Sequence, residues 1–164
     1  MAKLVPGGVK LRAQLDARFP RRDKSSDGWI GDRAHSARAS DHNPDRLGWV
    51  HALDIDENFG TGLFSRGRNA RALADQMIAY AASGLPGSDR VKNVVFENQV
   101  ASGTYRSTWW RFRGSGYGHT QHIHISLTSK AQTNGALWPL PILGKTLKIR
   151  REWARKLKAA INGR

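Results

Sequence analysis

The sequence predicts an α+β fold: a small antiparallel sheet flanked by helices, followed by a basic C-terminal helix. Three observations carry that reading. Apolar residues alternate with period two in short segments, among them "ALDID" (52–56) and "HIHISL" (122–127). Two longer segments, 69–82 and 146–162, space their apolar residues for helices. Helices and strands are mixed without the regular spacing of βαβ units, which argues against a parallel sheet.

The elements follow in order. Residues 8–18, "GVKLRAQLDAR", read as a short helix with Leu11 and Leu15 on one face. A polar loop follows, and 33–48 is rich in Asp, Ser, Asn, Pro and Gly, hence irregular. "VHALDID" (50–56) reads as a strand. Residues 69–82 form a helix with Leu73, Met77, Ile78 and Tyr80 toward the core. "VKNVVFENQV" (91–100) is β-branched, with a turn at Glu97-Asn98. "STWWRFR" (107–113) and "HIHISL" read as further strands. In the former, one of Trp109 and Trp110 is expected in the core and the other at the cleft. "WPLPILG" (138–144) is a connector punctuated by proline, and 146–162 is the final helix.

A chain of 164 residues is long enough for one domain with its own core. The organisation expected is a domain over 1–144 and an amphipathic appendage over 145–164. No apolar run is long enough to span a membrane. The N-terminus lacks the apolar core and small-residue cleavage site of a secretory signal, so synthesis in the cytoplasm without a signal peptide is expected. With no cysteine, disulfides, thiolate metal sites and thiol nucleophiles are excluded, and any metal must be held by histidine and carboxylate. The net charge is +14, from 27 basic and 13 acidic residues. Such a balance points to a polyanionic partner. Half of the excess lies in Lys145–Arg164, where eight basic residues face one acid.

Three of the six histidines, His119, His122 and His124, fall within six positions. On a strand, His122 and His124 share one face while Ile123 and Ile125 share the other. The isoleucines suit a core, so the imidazoles face a cleft or solvent. In "ALDID" the same alternation puts Asp54 and Asp56 together and Leu53 and Ile55 opposite. His51 falls on the Leu53 side and is the weaker candidate. His42 lies in the preceding loop, after Ser40-Asp41, where ligands often sit. Two imidazoles on one face, with carboxylates on another strand, are a start for a metal site.

These residues carry a resemblance. Ser-x-His at 40–42, Ala-x-Asp at 52–54 and the late His-x-His at 122–124 resemble the zinc peptidases grouped with lysostaphin, the D-alanyl-D-alanine peptidases and hedgehog proteins. The ending "HTQHIH" is similar to penicillin-insensitive murein endopeptidases. "GDRAHSARASDHNPD" with "VHALDID" is similar to the endopeptidase domains of actinobacterial-phage endolysins. The likeness runs over roughly 28–128. It implies Zn2+ held by His42, Asp54 and His124, with His122 and His119 flanking a catalytic water and the substrate. It implies peptidoglycan as partner and the bacterial cell wall as place of action, reached from the host cytoplasm once a pore opens. His122 would then move the proton and His119 would stabilise the oxyanion. Asp41 or Asp56 would orient a ligand imidazole, and Arg38 would pair with a carboxylate of the stem peptide.

The sequence also departs from the group. Eleven residues separate His42 from Asp54, more than in many relatives. Gln121 stands where relatives with an acidic base place Glu or Asp, which moves the base role to His122. The C-terminal helix places Ile149, Trp153, Leu157 and Ala160 or Ile161 on one stripe. It is expected to dock on the domain while its basic face contacts anionic wall polymer or membrane. A monomer that binds no nucleic acid is expected. Two other readings stand beside this one. "SDHNPD" is similar to His–Asn nuclease motifs, and the charge suits DNA. The chain could also be a non-enzymatic wall- or membrane-binding module acting through its tail.

Overall fold

The period-two segments pair into one antiparallel sheet in a computed structural model of the chain, which describes residues 1–31, 39–60, 67–104, 108–116 and 118–162. The strands are β3 (Ala52–Asp56), β4 (Val91–Phe96), β5 (Gln99–Ser102), β6 (Arg113–Gly114) and β7 (His122–Leu127), in spatial order β3-β7-β4-β5-β6. Two short strands, β1 (Lys3–Leu4) and β2 (Trp49–Val50), make a separate parallel pair. The described residues hold four α-helices: α1 (Pro6–Arg18), α2 (Arg68–Ser83), α3 (Lys130–Thr133) and α4 (Leu147–Asn162). The α+β class read from the sequence is therefore correct, with its basic helix at the C-terminus.

Local chemistry explains the boundaries. Pro6 opens α1, where a missing N–H costs nothing. Gly84 ends α2 in the left-handed conformation that closes many helices. Glu97 and Asn98 both take positive φ, 49° and 59°, which is the tight turn whose twist suits a β4–β5 hairpin.

Three expectations change. The strand read over 50–56 is broken at His51, so β2 joins β1 while β3 joins the main sheet. Within "STWWRFR" the described residues 108–112 form no strand: Trp109 and Trp110 turn the chain with φ of 42° and 58°, and pairing begins at Arg113. The alternating pattern there belongs to a turn that packs Trp110 against the core and leaves Trp109 exposed. The Pro-rich connector contains a 3₁₀ turn at Pro141–Leu143.

One sheet face forms the core. Leu53, Ile55, Ile123, Ile125, Val94 and Phe96 are fully buried, against Leu73, Ala74 and Met77 of α2. Each such side chain contributes roughly 1.5–3 kcal/mol of hydrophobic burial. Trp138 is buried beneath the Arg90 guanidinium, 3.8 Å above its ring, and donates its indole N–H to the Gly7 carbonyl at 2.8 Å. That contact ties the chain after α3 back to the start of α1. Gly7 permits the approach, since a Cβ there would meet Ala131 of α3 at 3.0 Å. Helix α4 lies against α2 and the Pro141–Leu143 turn. Its Leu157 is buried and Trp153 half-buried, while Lys148, Arg151, Arg155 and Lys158 are exposed. The apolar stripe thus docks on the domain through Trp153 and Leu157, while Ile161 at its end is exposed.

Candidate metal centre

The opposite face of the sheet carries the histidines. Strands β3 and β7 pair so that Asp54 lies directly across from His124, and Asp56 across from His122. Directly opposed residues share a face at close range. His124 Nδ1 lies 3.0 Å from Asp54 Oδ1. His42 enters from the loop before β2 and places Nε2 at 3.1 Å from His124 Nδ1 and 3.3 Å from Asp54 Oδ2. The group His42, Asp54 and His124 can hold a metal ion.

The segment 28–31 fixes His42. The His42 Nδ1–H donates to the Trp29 carbonyl at 3.1 Å, and the Gly31 N–H donates to the His42 carbonyl at 2.9 Å. Gly28 bridges Asp54 in antiparallel fashion, so one stretch of backbone holds both residues. A carbonyl can only accept. The proton of neutral His42 therefore sits on Nδ1, and Nε2 turns a bare lone pair toward Asp54. His124 Nε2 lies 3.0 Å from the Ser126 hydroxyl, which holds the ring while Nδ1 faces inward. Two imidazole nitrogens converging on a carboxylate, once a metal displaces the protons between them, form an electron-rich pocket suited to a cation.

Charge in the metal-free chain follows from this crowding. Burial alone would lower the His42 pKa, but its bonds to Asp54 and the Trp29 carbonyl leave it raised. Burial would raise that of Asp54, yet hydrogen bonds and charge from His124 and His42 hold it well below the usual carboxylate range. A proton on His42 thus takes the place a cation would occupy. That ion pair stabilises the metal-free fold below the ordinary histidine pKa of about 6.5, and its contribution fades as pH rises through the raised His42 value. Metal must displace the same proton. The rise in melting temperature on adding a divalent ion such as zinc is therefore expected to be larger at pH 8 than at pH 5.5. Thermal melts with and without the ion check this, and a larger shift at pH 5.5 would contradict it.

His119 and His122 form a second pair beside the first, with His119 Nδ1 2.7 Å from His122 Nε2. His122 Nε2 lies 3.8 Å from Asp54 Oδ1. Burial, followed by the neighbouring His124 and His122, pushes the His119 pKa down to about 4, so its ring is neutral at neutral pH. His119 has positive φ, 54°, held where Glu97 and Asn98 donate to the carbonyls of His119 and Gly118.

The residues expected to orient the imidazoles do other work. Asp41 is ion-paired with Lys92 Nζ at 2.7 Å and 2.8 Å; the Trp29 carbonyl takes the place at His42 proposed for it. Asp56 is buried and accepts from Ser25 Oγ and from the Ser26 and Asn58 N–H groups, so it anchors the loop before Gly28 rather than a ligand ring. His51 pairs with Asp45 and Gln132, away from the centre. Arg38 lies outside the described residues.

The sequence reading missed the support behind this site. The Arg22 side chain is fully buried and donates to Asp16 and to both oxygens of Asp27. Asp27 in turn accepts from the Asp56 N–H at 3.0 Å. This network leads into Gly28 and Trp29 and fixes the backbone that holds His42. Its one sequence signal is two acids flanking "RRD" within a dozen residues, which is indistinct from an exposed polar loop. No family model, curated protein or solved structure matches the chain.

Proposed function

We propose that the chain is a zinc-dependent peptidoglycan endopeptidase, acting on the bacterial cell wall as phage endolysins do. The observation that carries the proposal is the convergence of His42 Nε2, His124 Nδ1 and the Asp54 carboxylate at 3.0–3.3 Å from one another. Four tetrahedral ligands at about 2.0–2.1 Å from zinc stand roughly 3.3 Å apart, so the donor set fits. Three protein ligands, two imidazoles and a carboxylate, are the composition of catalytic zinc sites with an open position. The resemblance at Ser-x-His, Ala-x-Asp and His-x-His favours the same three residues and supplies the substrate class.

Zinc, when bound, supplies a Lewis acid that lowers the pKa of water at the open position to about 7. The remaining residues act around that position. His122, on the same strand face as His124, accepts the proton of the attacking water and returns it to the leaving amine. His119, neutral, donates its Nδ1–H to His122 Nε2 and fixes that ring beside the place where the oxyanion would develop. The exposed cations of α4 favour anionic wall polymer as a secondary contact.

The deciding experiment is a digest of purified peptidoglycan, with and without chelator, read by mass spectrometry. New amino termini that vanish on chelation and return with zinc support the proposal, and the product masses name the bond. No cleavage of any wall type with zinc present would overturn it, and the same samples would then be assayed on DNA and on vesicles. His122→Ala is expected to keep zinc and to lower turnover about 10²–10⁴-fold. Metal analysis of the purified variant separates the two roles: loss of zinc in His122→Ala with retention in His124→Ala would reverse them.

A further inference from the structure

Asp54 belongs to two clusters. One is the set with His42 and His124; the other joins it to His119 and His122. Its two oxygens face different ways. Oδ2 approaches His42 Nε2 at 3.3 Å, whereas Oδ1 lies 3.0 Å from His124 Nδ1 and 3.8 Å from His122 Nε2. His119 Nδ1 and His122 Nε2 are 2.7 Å apart. Two nitrogens so close share one proton, and an ion between them would part them toward the roughly 3.3 Å of neighbouring ligands on one metal. A carboxylate between two nitrogen pairs is the arrangement that bridges two ions about 3.5–4 Å apart in binuclear sites.

The second pair is built rather than incidental. His119 occupies the left-handed region, which non-glycine residues enter at a cost, and the β4–β5 turn clamps it there through two backbone hydrogen bonds. His122 is fixed by the register of β7 against β3. Among the described residues neither imidazole has a carboxylate at hydrogen-bond distance; Asp54 Oδ1 at 3.8 Å from His122 Nε2 leaves room for an ion between.

We infer that His119 and His122, with Asp54 Oδ1, form a second and weaker metal site, and that its occupation inhibits the chain by engaging the nitrogen of His122 that would carry the proton. The metal-site part rests on the donor geometry alone. The inhibitory part rests on the proposed peptidase reading. Binding breaks the His119–His122 hydrogen bond, moves its proton to the other nitrogen of the ring that carries it, and puts both freed lone pairs on the ion. The class of ligand is a borderline divalent cation that accepts nitrogen donors, with zinc as the probe. The first ion is held more tightly because its two imidazoles are more deeply set and are oriented by Trp29 and Ser126.

The test is equilibrium dialysis of the chelator-stripped full chain against rising zinc, with metal content read by atomic absorption. The wild-type chain is expected to bind two ions in separate steps. His119→Asn is expected to lose the weaker step and keep the tighter one; asparagine tolerates the left-handed backbone, so the turn survives. His51→Ala is expected to keep both, which controls for adventitious binding at His51 and Asp45. One ion bound by wild type at saturating zinc overturns the inference. So does a second ion that survives in His119→Asn, or loss of the tighter step in that variant. Peptidoglycan cleavage measured along the same titration is expected to rise through the first step and fall through the second. If two ions bind as described but no wall is cleaved at any zinc level, the metal site stands and the peptidase reading fails. Cleavage that is unchanged through the second step overturns the inhibitory part alone.

Discussion

Asp54→Ala is expected to abolish high-affinity metal binding and to lower peptidoglycan cleavage by about three orders of magnitude, the equivalent of the several kcal/mol a catalytic metal supplies. Asp54 is singular among the candidate ligands. It alone touches His42 and His124 and lies near His122, and it supplies the negative charge that draws two imidazoles together. Without it, the two imidazoles remain 3.1 Å apart, with no carboxylate between them to offset a divalent ion. The fold is expected to tolerate the change, because Asp54 lies on the histidine face and its backbone bridge to Gly28 is independent of its side chain. Metal content by atomic absorption and cleavage by mass spectrometry check both halves. A variant that stays folded, keeps stoichiometric zinc and keeps activity would remove Asp54 from the site.

Arg22→Ala is expected to destabilise the chain by about 3–5 kcal/mol, a large part of what a domain of this size has. The guanidinium has no exposure, and Asp27 beneath it is also buried. Removing the cation leaves Asp27 a buried charge with the Asp56 N–H but without a close cation. Arg12, whose nearest nitrogen stands 3.9 Å away and which is partly exposed, is too far to hydrogen-bond it. Asp16, more exposed on the other side of Arg22, carries less, and Asp16→Asn is expected to cost no more than about 1 kcal/mol. The loss reaches the metal. The loop from Arg22 to Trp29 sets the His42 ring, and an imidazole robbed of its orienting partner loses roughly 10–100-fold in metal affinity. Urea melts and zinc titrations measure the two effects. A cost below about 1 kcal/mol would mean that the loop relaxes and water satisfies Asp27.

The candidate site was readable where chemistry follows strand periodicity. Alternation placed His122 with His124 and Asp54 away from Leu53, and the structure pairs β3 with β7 in the register that makes those faces coincide. Alternation was blind where backbone supplies the contact. Nothing in the identity of Trp29 marks its carbonyl as the acceptor for His42. Asp41 and Asp56 were plausible partners by proximity in sequence, but Lys92 and the Ser25–Ser26 turn, distant along the chain, claim them instead. The same limit explains "STWWRFR". Its pattern suits a strand, and the turn at Trp109–Trp110 is set by packing that a local window does not contain. The C-terminal helix was legible because its docked stripe repeats within the segment itself.

The pairing of Asp54 with His124 joins positions 70 residues apart, and His42 reaches across 82. Contacts this distant in sequence form late, since the intervening chain must first be ordered. A nascent or refolding chain therefore has no chelating pocket until β7 slots between β3 and β4. A slip of β7 by one residue would turn His122 and His124 inward and destroy it. Metal capture thus acts as a latch on the finished topology: it leaves early folding steps untouched, selects the correct strand alignment and slows the reverse reaction by which β7 would be pulled out.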